Sequence, residues 1–210
     1  MSKNKCYRCE NVKTSKEHTP PKSFFPLTHR SNLVTVPSCS EHNTKKSGND
    51  EKIRNVIAMH RSVNPEALSL INKIKRSIIR SPSLAFIKEA FKIGDAEGFL
   101  VNTTDFDSFF KSLGYSIYYA QHLEPFKGDW IVYPKSFHED SYIAGPDRLP
   151  KEHEESLKSI TSLNFTNLEK FRNPTVFQCY YAEHDKSFVY KMIFYEGFEC
   201  YLIASHANDA

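Results

Sequence analysis

Two pairs of metal-ligand residues stand out near the start of the chain. Cys6-Tyr-Arg-Cys9 places two thiols three positions apart, and Cys39-Ser-Glu-His42 repeats the spacing with an imidazole as its second member. Zinc favours four tetrahedral sulphur and nitrogen ligands at about 2.0–2.3 Å, and a closed set of four marks a structural ion. The expectation is a structural Zn2+ held by Cys6, Cys9, Cys39 and His42, with a knuckle supplying the first pair and the first turn of a helix the second. Residues 1–52 are polar and rich in Ser, Thr, Asn and Pro, so they need such a staple in place of a core of their own. Buried free thiols beside a surface histidine are the competing reading. Cys179 and Cys200 fall in strand-like segments and read as core residues.

Between the two pairs runs Glu17-His18-Thr19-Pro20-Pro21-Lys22, followed by Phe24-Phe-Pro26, then Asn32-Leu33 and Val36-Pro-Ser-Cys39; Asn43 directly follows His42. In this order and spacing the segment resembles the HNH endonucleases (His-Me finger or ββα-metal nucleases), in the branch that carries a structural zinc. The likeness covers about a quarter of the chain. It implies a hairpin leading into one helix, a treble-clef-like finger, with the zinc behind and a catalytic Mg2+ or Mn2+ in front. His18 is then the general base that polarises water, since a neutral imidazole suits proton abstraction near pH 7. Glu17 and Asn43 ligate the catalytic ion through oxygen, and Asn32 holds the loop that carries His18. A hard divalent ion can contact both the scissile phosphate and the leaving oxygen.

Two positions depart from the family pattern. His42 replaces the commoner fourth cysteine, and Glu17 stands where Asp is commoner. Neighbours on an extended strand face opposite ways, so Glu17 and His18 can serve their different partners only if the backbone bends or the loop is irregular there, which the following Pro20-Pro21 favours. Asn49 or Asp50 could add an oxygen ligand; Asp50 could equally cap the helix that follows. Lys22, Arg30, Lys45 and Lys46 lie near the expected active site as candidate phosphate contacts, against the alternative of plain solvation. His29 reads as a solvent-facing loop residue.

The elements that must position these groups follow from periodicity. Residues 50–60 read as a short helix. Asn64-Pro65-Glu66 is a helix start that carries on to about Arg80, with Leu68, Ile71, Ile74, Ile78 and Ile79 on one face. Ser81-Pro82 opens another helix to about Ile93, and Asp95–Gly98 is a turn. A helix over Asp105–His122 carries Phe106, Phe109, Phe110, Leu113, Ile117 and Tyr118 as its apolar stripe, weakened by Gly114. Trp130–Tyr133 is a strand and a helix lies near Glu152–Leu163. Thr175–Glu183, Lys186–Tyr195 and Phe198–Ser205 form an antiparallel meander. The fold class is α+β: a zinc-stapled finger over 1–52, then an α+β region over 53–210, with helices over about 53–122 and strands over about 130–133 and 175–205.

Residues 1–80 hold 16 Lys and Arg against 6 Asp and Glu, and the remainder 12 against 19. A basic front on an acidic remainder suits a nucleic-acid partner, because each neutralised phosphate releases counterions. DNA is favoured by family habit, with RNA as the alternative. No apolar run is long enough to span a membrane, and the polar start lacks the core of a signal peptide, so a cytoplasmic protein with no membrane partner is expected. One active site per finger would make a homodimer attractive for cutting both strands. Two other readings stand beside the nuclease. In one, the zinc finger binds nucleic acid or protein without cutting; in the other, residues 53–210 do the main work and the finger docks them.

Overall fold

Alternation of polar and apolar residues builds the first hairpin. β1 (Ser15–His18) pairs antiparallel with β2 (Thr35–Ser38), Glu17 opposite Val36 and His18 opposite Thr35. Glu17, Val36 and Ser38 are buried on the inner face, whereas Lys16 and Thr35 are exposed on the outer one. α1 (Ser47–Ala58) follows and completes a ββα unit. The structure, a computed structural model, describes residues 4–44, 46–80, 90–93, 96–99, 103–136, 158–184 and 187–205.

Asn64 caps the next helix as its sequence demands, its side chain accepting the Glu66 N–H at 3.1 Å with Pro65 in the first turn. The single helix expected to Arg80 is instead two pieces, α2 (Pro65–Leu68) and α3 (Ile71–Arg80). At the break the Ser69 hydroxyl donates to the Glu66 carbonyl at 2.6 Å, a side-chain bond that competes with the helical ladder. The apolar face expected along it is mostly turned outward: Ile74 is buried, but Leu68, Ile71 and Ile79 are exposed.

Strands also replace the expected helix end and turn around residue 94. Ala90–Ile93, expected to end a helix, forms strand β3, and Ala96–Phe99, which overlaps the turn expected over Asp95–Gly98, forms its antiparallel partner β4. Gly94-Asp95 between them is the dipeptide type that favours tight hairpins, a local signal for this pairing. The rest of that expected helix, residues 81–89, lies outside the described residues.

α4 (Thr103–His122) matches the expected helix, and Phe106, Phe109, Phe110, Leu113 and Ile117 are all buried. It covers one face of a five-stranded antiparallel sheet, ordered β5 (Asp129–Tyr133), β9 (Phe198–Ser205), β8 (Ser187–Phe194), β7 (Phe177–His184), β6 (Thr166–Asn167). The meander stands as read, and the two-residue β6 is an addition. Cys179 and Cys200 are fully buried in this sheet, as core residues. Of the helix expected near Glu152–Leu163, residues 158–161 are helical and 152–157 lie outside the described residues.

Gly114 has a role that propensity does not reveal. A Cβ there would lie 2.6 Å from Leu202 Cδ1 and 2.9 Å from Trp130 Cε2, so the missing side chain lets α4 sit close on the sheet.

The finger shares this core. Phe24 packs between Phe109 and Phe194, with ring centroids at 5.4 and 5.2 Å, and the Tyr195 hydroxyl donates to the Phe24 carbonyl at 2.6 Å. Arg8 lies 4.6 Å over the Tyr115 ring and bonds Ser112 of α4 at 2.9 Å. One apolar cluster therefore runs from Cys6 through α4 to the sheet, crossing residue 52 without a break.

Candidate functional site

The knuckle is set by the backbone. The Cys6 N–H donates to the Asn11 carbonyl at 2.9 Å, and the Tyr7 N–H pins the turn to the Pro37 carbonyl of β2 at 2.7 Å. This brings Cys6 and Cys9 to Cys39 and His42, with one ligand atom from each and all four within 4.8 Å of one another. The His42 Nδ1 lies 3.5, 3.5 and 3.4 Å from the sulphurs of Cys6, Cys9 and Cys39, and Cys9 and Cys39 are 3.9 Å apart. Ligands at about 2.0–2.3 Å in a tetrahedron are separated by about 3.5–3.8 Å, so the group fits a zinc-sized ion. Burial, with the neighbouring Cys6, pushes the Cys9 thiol up to about 11, and a bound cation would relieve that cost. His42 is held below its ordinary value by burial and then by Arg8, which keeps the imidazole in its ligating form. One detail differs from expectation. Cys39 and His42 sit at the end of β2 and in the turn 40–44, ahead of α1 and not within its first turn.

Glu17 and His18 leave β1 on opposite faces. Glu17 is 5% exposed, and its carboxylate forms an ion pair with Lys46 and accepts the Ser38 hydroxyl at 3.4 Å. The Lys46 ammonium also lies 3.5 Å from Asp50, one turn along. Burial raises both carboxyls above their ordinary values, against the opposing pull of Lys46. Lys46, expected to contact phosphate, is thus held between two buried carboxylates, because its position four residues before Asp50 points it inward. Asp50 sits in the fourth position of α1, so it does not cap that helix; the Ncap is Lys46.

Asn43, expected beside Glu17 as a metal ligand, donates its amide to the Ser15 hydroxyl at 2.8 Å and to the Lys16 carbonyl at 3.3 Å. No hydrogen bond joins it to Glu17 among the described residues. Glu17, the carboxylate expected to ligate Mg2+ or Mn2+, is paired with Lys46. Asn49 donates to the Asp105 carbonyl at 2.8 Å and ties α1 to α4.

His18 ends β1 on the outer face and is half-buried. Burial lowers its pKa below the ordinary histidine value, and Lys22 and Arg30 lower it further. A neutral imidazole within the electrostatic reach of two cations can accept a proton from water while the cations attract an anion. Arg30 is fixed by its Nε donating to the Phe25 carbonyl at 3.0 Å, and Lys22 is exposed. Asn32 has a left-handed backbone, φ 56°, which Asn tolerates better than most residues. Its side chain makes no hydrogen bond to the His18 segment among the described residues, so it shapes the loop through its backbone. The loop is closed by the Thr19 N–H donating to the Val34 carbonyl at 2.9 Å. His29 lies 3.4 Å from Glu66. Lys45 lies outside the described residues.

Sequence reasoning missed the pairing of Lys46 with Glu17, although the Lys46/Asp50 spacing was legible. Among the described residues no helix is long and apolar enough to cross a membrane. Comparison of the chain with protein-family models, curated proteins and solved structures finds no match.

Proposed function

We propose that this protein is an endonuclease that hydrolyses phosphodiester bonds of DNA, with His18 as general base. The observation that carries the reading is His18 itself: an imidazole kept neutral on the outer face of the hairpin, with Lys22 and Arg30 close enough to depress its pKa. Those cations can receive the phosphoryl oxygens while His18 takes the proton of the attacking water. The zinc-type group behind the hairpin fixes the strand that ends in His18. A divalent ion would supply charge neutralisation at the phosphate and the leaving oxygen. Glu17 as folded is not free to hold such an ion, so no step is assigned through it.

That same ion pair favours a second reading, a zinc module that binds nucleic acid without cutting. Plasmid cleavage separates the two. Wild type and His18→Ala are compared with Mg2+, with Mn2+ and without either, and zinc content is measured in both. Nicking by wild type and none by a zinc-replete His18→Ala supports the nuclease. DNA binding without cutting of DNA or RNA by either protein overturns it in favour of the binding module.

A further inference from the structure

Lys16 and His18 point the same way from β1, two residues apart, a step of about 6.6 Å along a strand. That is on the order of one nucleotide along a sugar-phosphate backbone. Beside Lys16, a groove of about 560 Å³ opens between the hairpin and the C-terminal end of α4. Lys13, Lys16 and Thr35 form one wall; Tyr119, Leu123 and Lys170 form the other.

The charge of this groove is one-sided. Three lysines line it, and no carboxylate does. Elsewhere on the finger Lys5, Lys46 and Lys52 are each paired with an acid, whereas Lys13 and Lys16 are exposed and have no ion-pair partner among the described residues. Lys170 is fixed at the groove by donating to the Ala120 carbonyl at 2.6 Å, which leaves it two further N–H donors. It belongs to the acidic part of the chain, so its place here is set by the fold and not by a general basic surface. Half-buried Tyr119 supplies a ring of the sort on which bases stack, and exposed Leu123 adds apolar surface to the same lining.

We infer that this groove seats a single DNA strand running away from the phosphate that His18 faces, with Lys13, Lys16 and Lys170 against its phosphates and Tyr119 beside a base. The inference rests on the nuclease reading for the identity of the strand. It makes the C-terminal region half of the substrate site.

The test is fluorescence anisotropy of a labelled single-stranded DNA oligonucleotide over a salt series. A His18→Ala background prevents cutting, and zinc content and circular dichroism confirm the fold. Adding Lys13→Glu and Lys16→Glu should weaken binding tenfold or more and make the slope of log K against log salt shallower by about 1.4, the value for two lost phosphate contacts on a single strand. Tyr119→Ala with Lys170→Gln should also weaken binding, from the other wall. Lys75→Glu with Arg76→Glu, the same charge change on exposed positions of α3 outside the groove, should do much less. Equal losses from the two charge reversals, or unchanged binding in the groove variants, would overturn the inference. Tighter binding of an RNA of the same sequence through these lysines overturns the DNA assignment. The two readings also fail separately. If Lys13→Glu/Lys16→Glu with His18 intact cuts like wild type, the groove falls and the nuclease stands. If wild type binds through the groove but cuts nothing, the nuclease falls and the groove stands.

Discussion

Glu17 and His18 are adjacent on one strand and serve opposite sides of it: Glu17 is 5% exposed and turned to the interior, and His18 ends the outer face opposite Thr35. Regular pairing through both residues leaves no bend to bring them together. The inner residue joins a buried charge cluster with Lys46 and Asp50, and the outer one feels the charges of Lys22 and Arg30. The proposed general base and the buried ion-pair cluster thus lie on opposite faces of a four-residue strand.

The outer face predicts a titration. Burial first, then Lys22 and Arg30, favour neutral His18, so its proton leaves below the ordinary histidine value. Activity that needs the neutral base should hold through neutral pH and fall only as pH drops through that lowered value. Replacing both Lys22 and Arg30 by Ala should move the titration upward, short of the ordinary value because burial remains. NMR titration of the His18 ring checks this without requiring turnover. A midpoint at or above the ordinary value in wild type would contradict it.

The inner face predicts a stability loss. Lys46→Met leaves two buried carboxylates without their cation, a change that costs about 3–5 kcal/mol when a buried pair is broken. The folded-state pKa values of Glu17 and Asp50 are already raised, and the variant raises them further. A raised carboxyl favours the folded state as pH falls through the raised value toward the unfolded one. The loss should therefore be largest at neutral pH and shrink under mild acid. Urea unfolding at several pH values measures it; a deficit that does not change with pH would count against the cluster.

The Cys6, Cys9, Cys39 and His42 group predicts one zinc per chain, lost in Cys39→Ala. The knuckle is pinned to β2 and α4 by Tyr7 and Arg8, so removing the ion should lower the melting temperature of the whole core as well as of the finger. Metal analysis together with calorimetry before and after chelation tests this. A stripped protein with unchanged melting would show that the ion does not support the fold.

Gly114→Ala pits two effects against each other. Alanine is better than glycine in a helix by about 1 kcal/mol. Its Cβ would lie 2.6 Å from Leu202 and 2.9 Å from Trp130, and overpacking of that kind costs about 1–3 kcal/mol. The expected outcome is no stabilisation and a net loss of up to about 2 kcal/mol, read by denaturant midpoint.

Much of this protein is decided locally and could be read from the chain. The ligand spacings of Cys6/Cys9 and Cys39/His42, the Asn64 cap, the α4 stripe and the C-terminal meander each rest on residues a few positions apart, where spacing alone sets geometry. Other features depend on what packs against what, which no local pattern encodes. Leu68 and Ile79 sit on an apolar helix face that the fold leaves exposed. Gly114 weakens its helix in sequence yet permits a close approach of α4 to the sheet. Lys46 reads as one of several surface cations until the hairpin and α1 fold together and bring Glu17 to its ammonium. Lys170 lines one groove with Lys13 and Lys16, some 150 residues earlier in the chain, only because the fold brings them together beside the end of α4. The chain by itself determined which ligands stand in pairs and which segments alternate; tertiary packing decided which charges were neutralised inside and which were left facing a groove, because burial and Coulomb energy depend on distance in space.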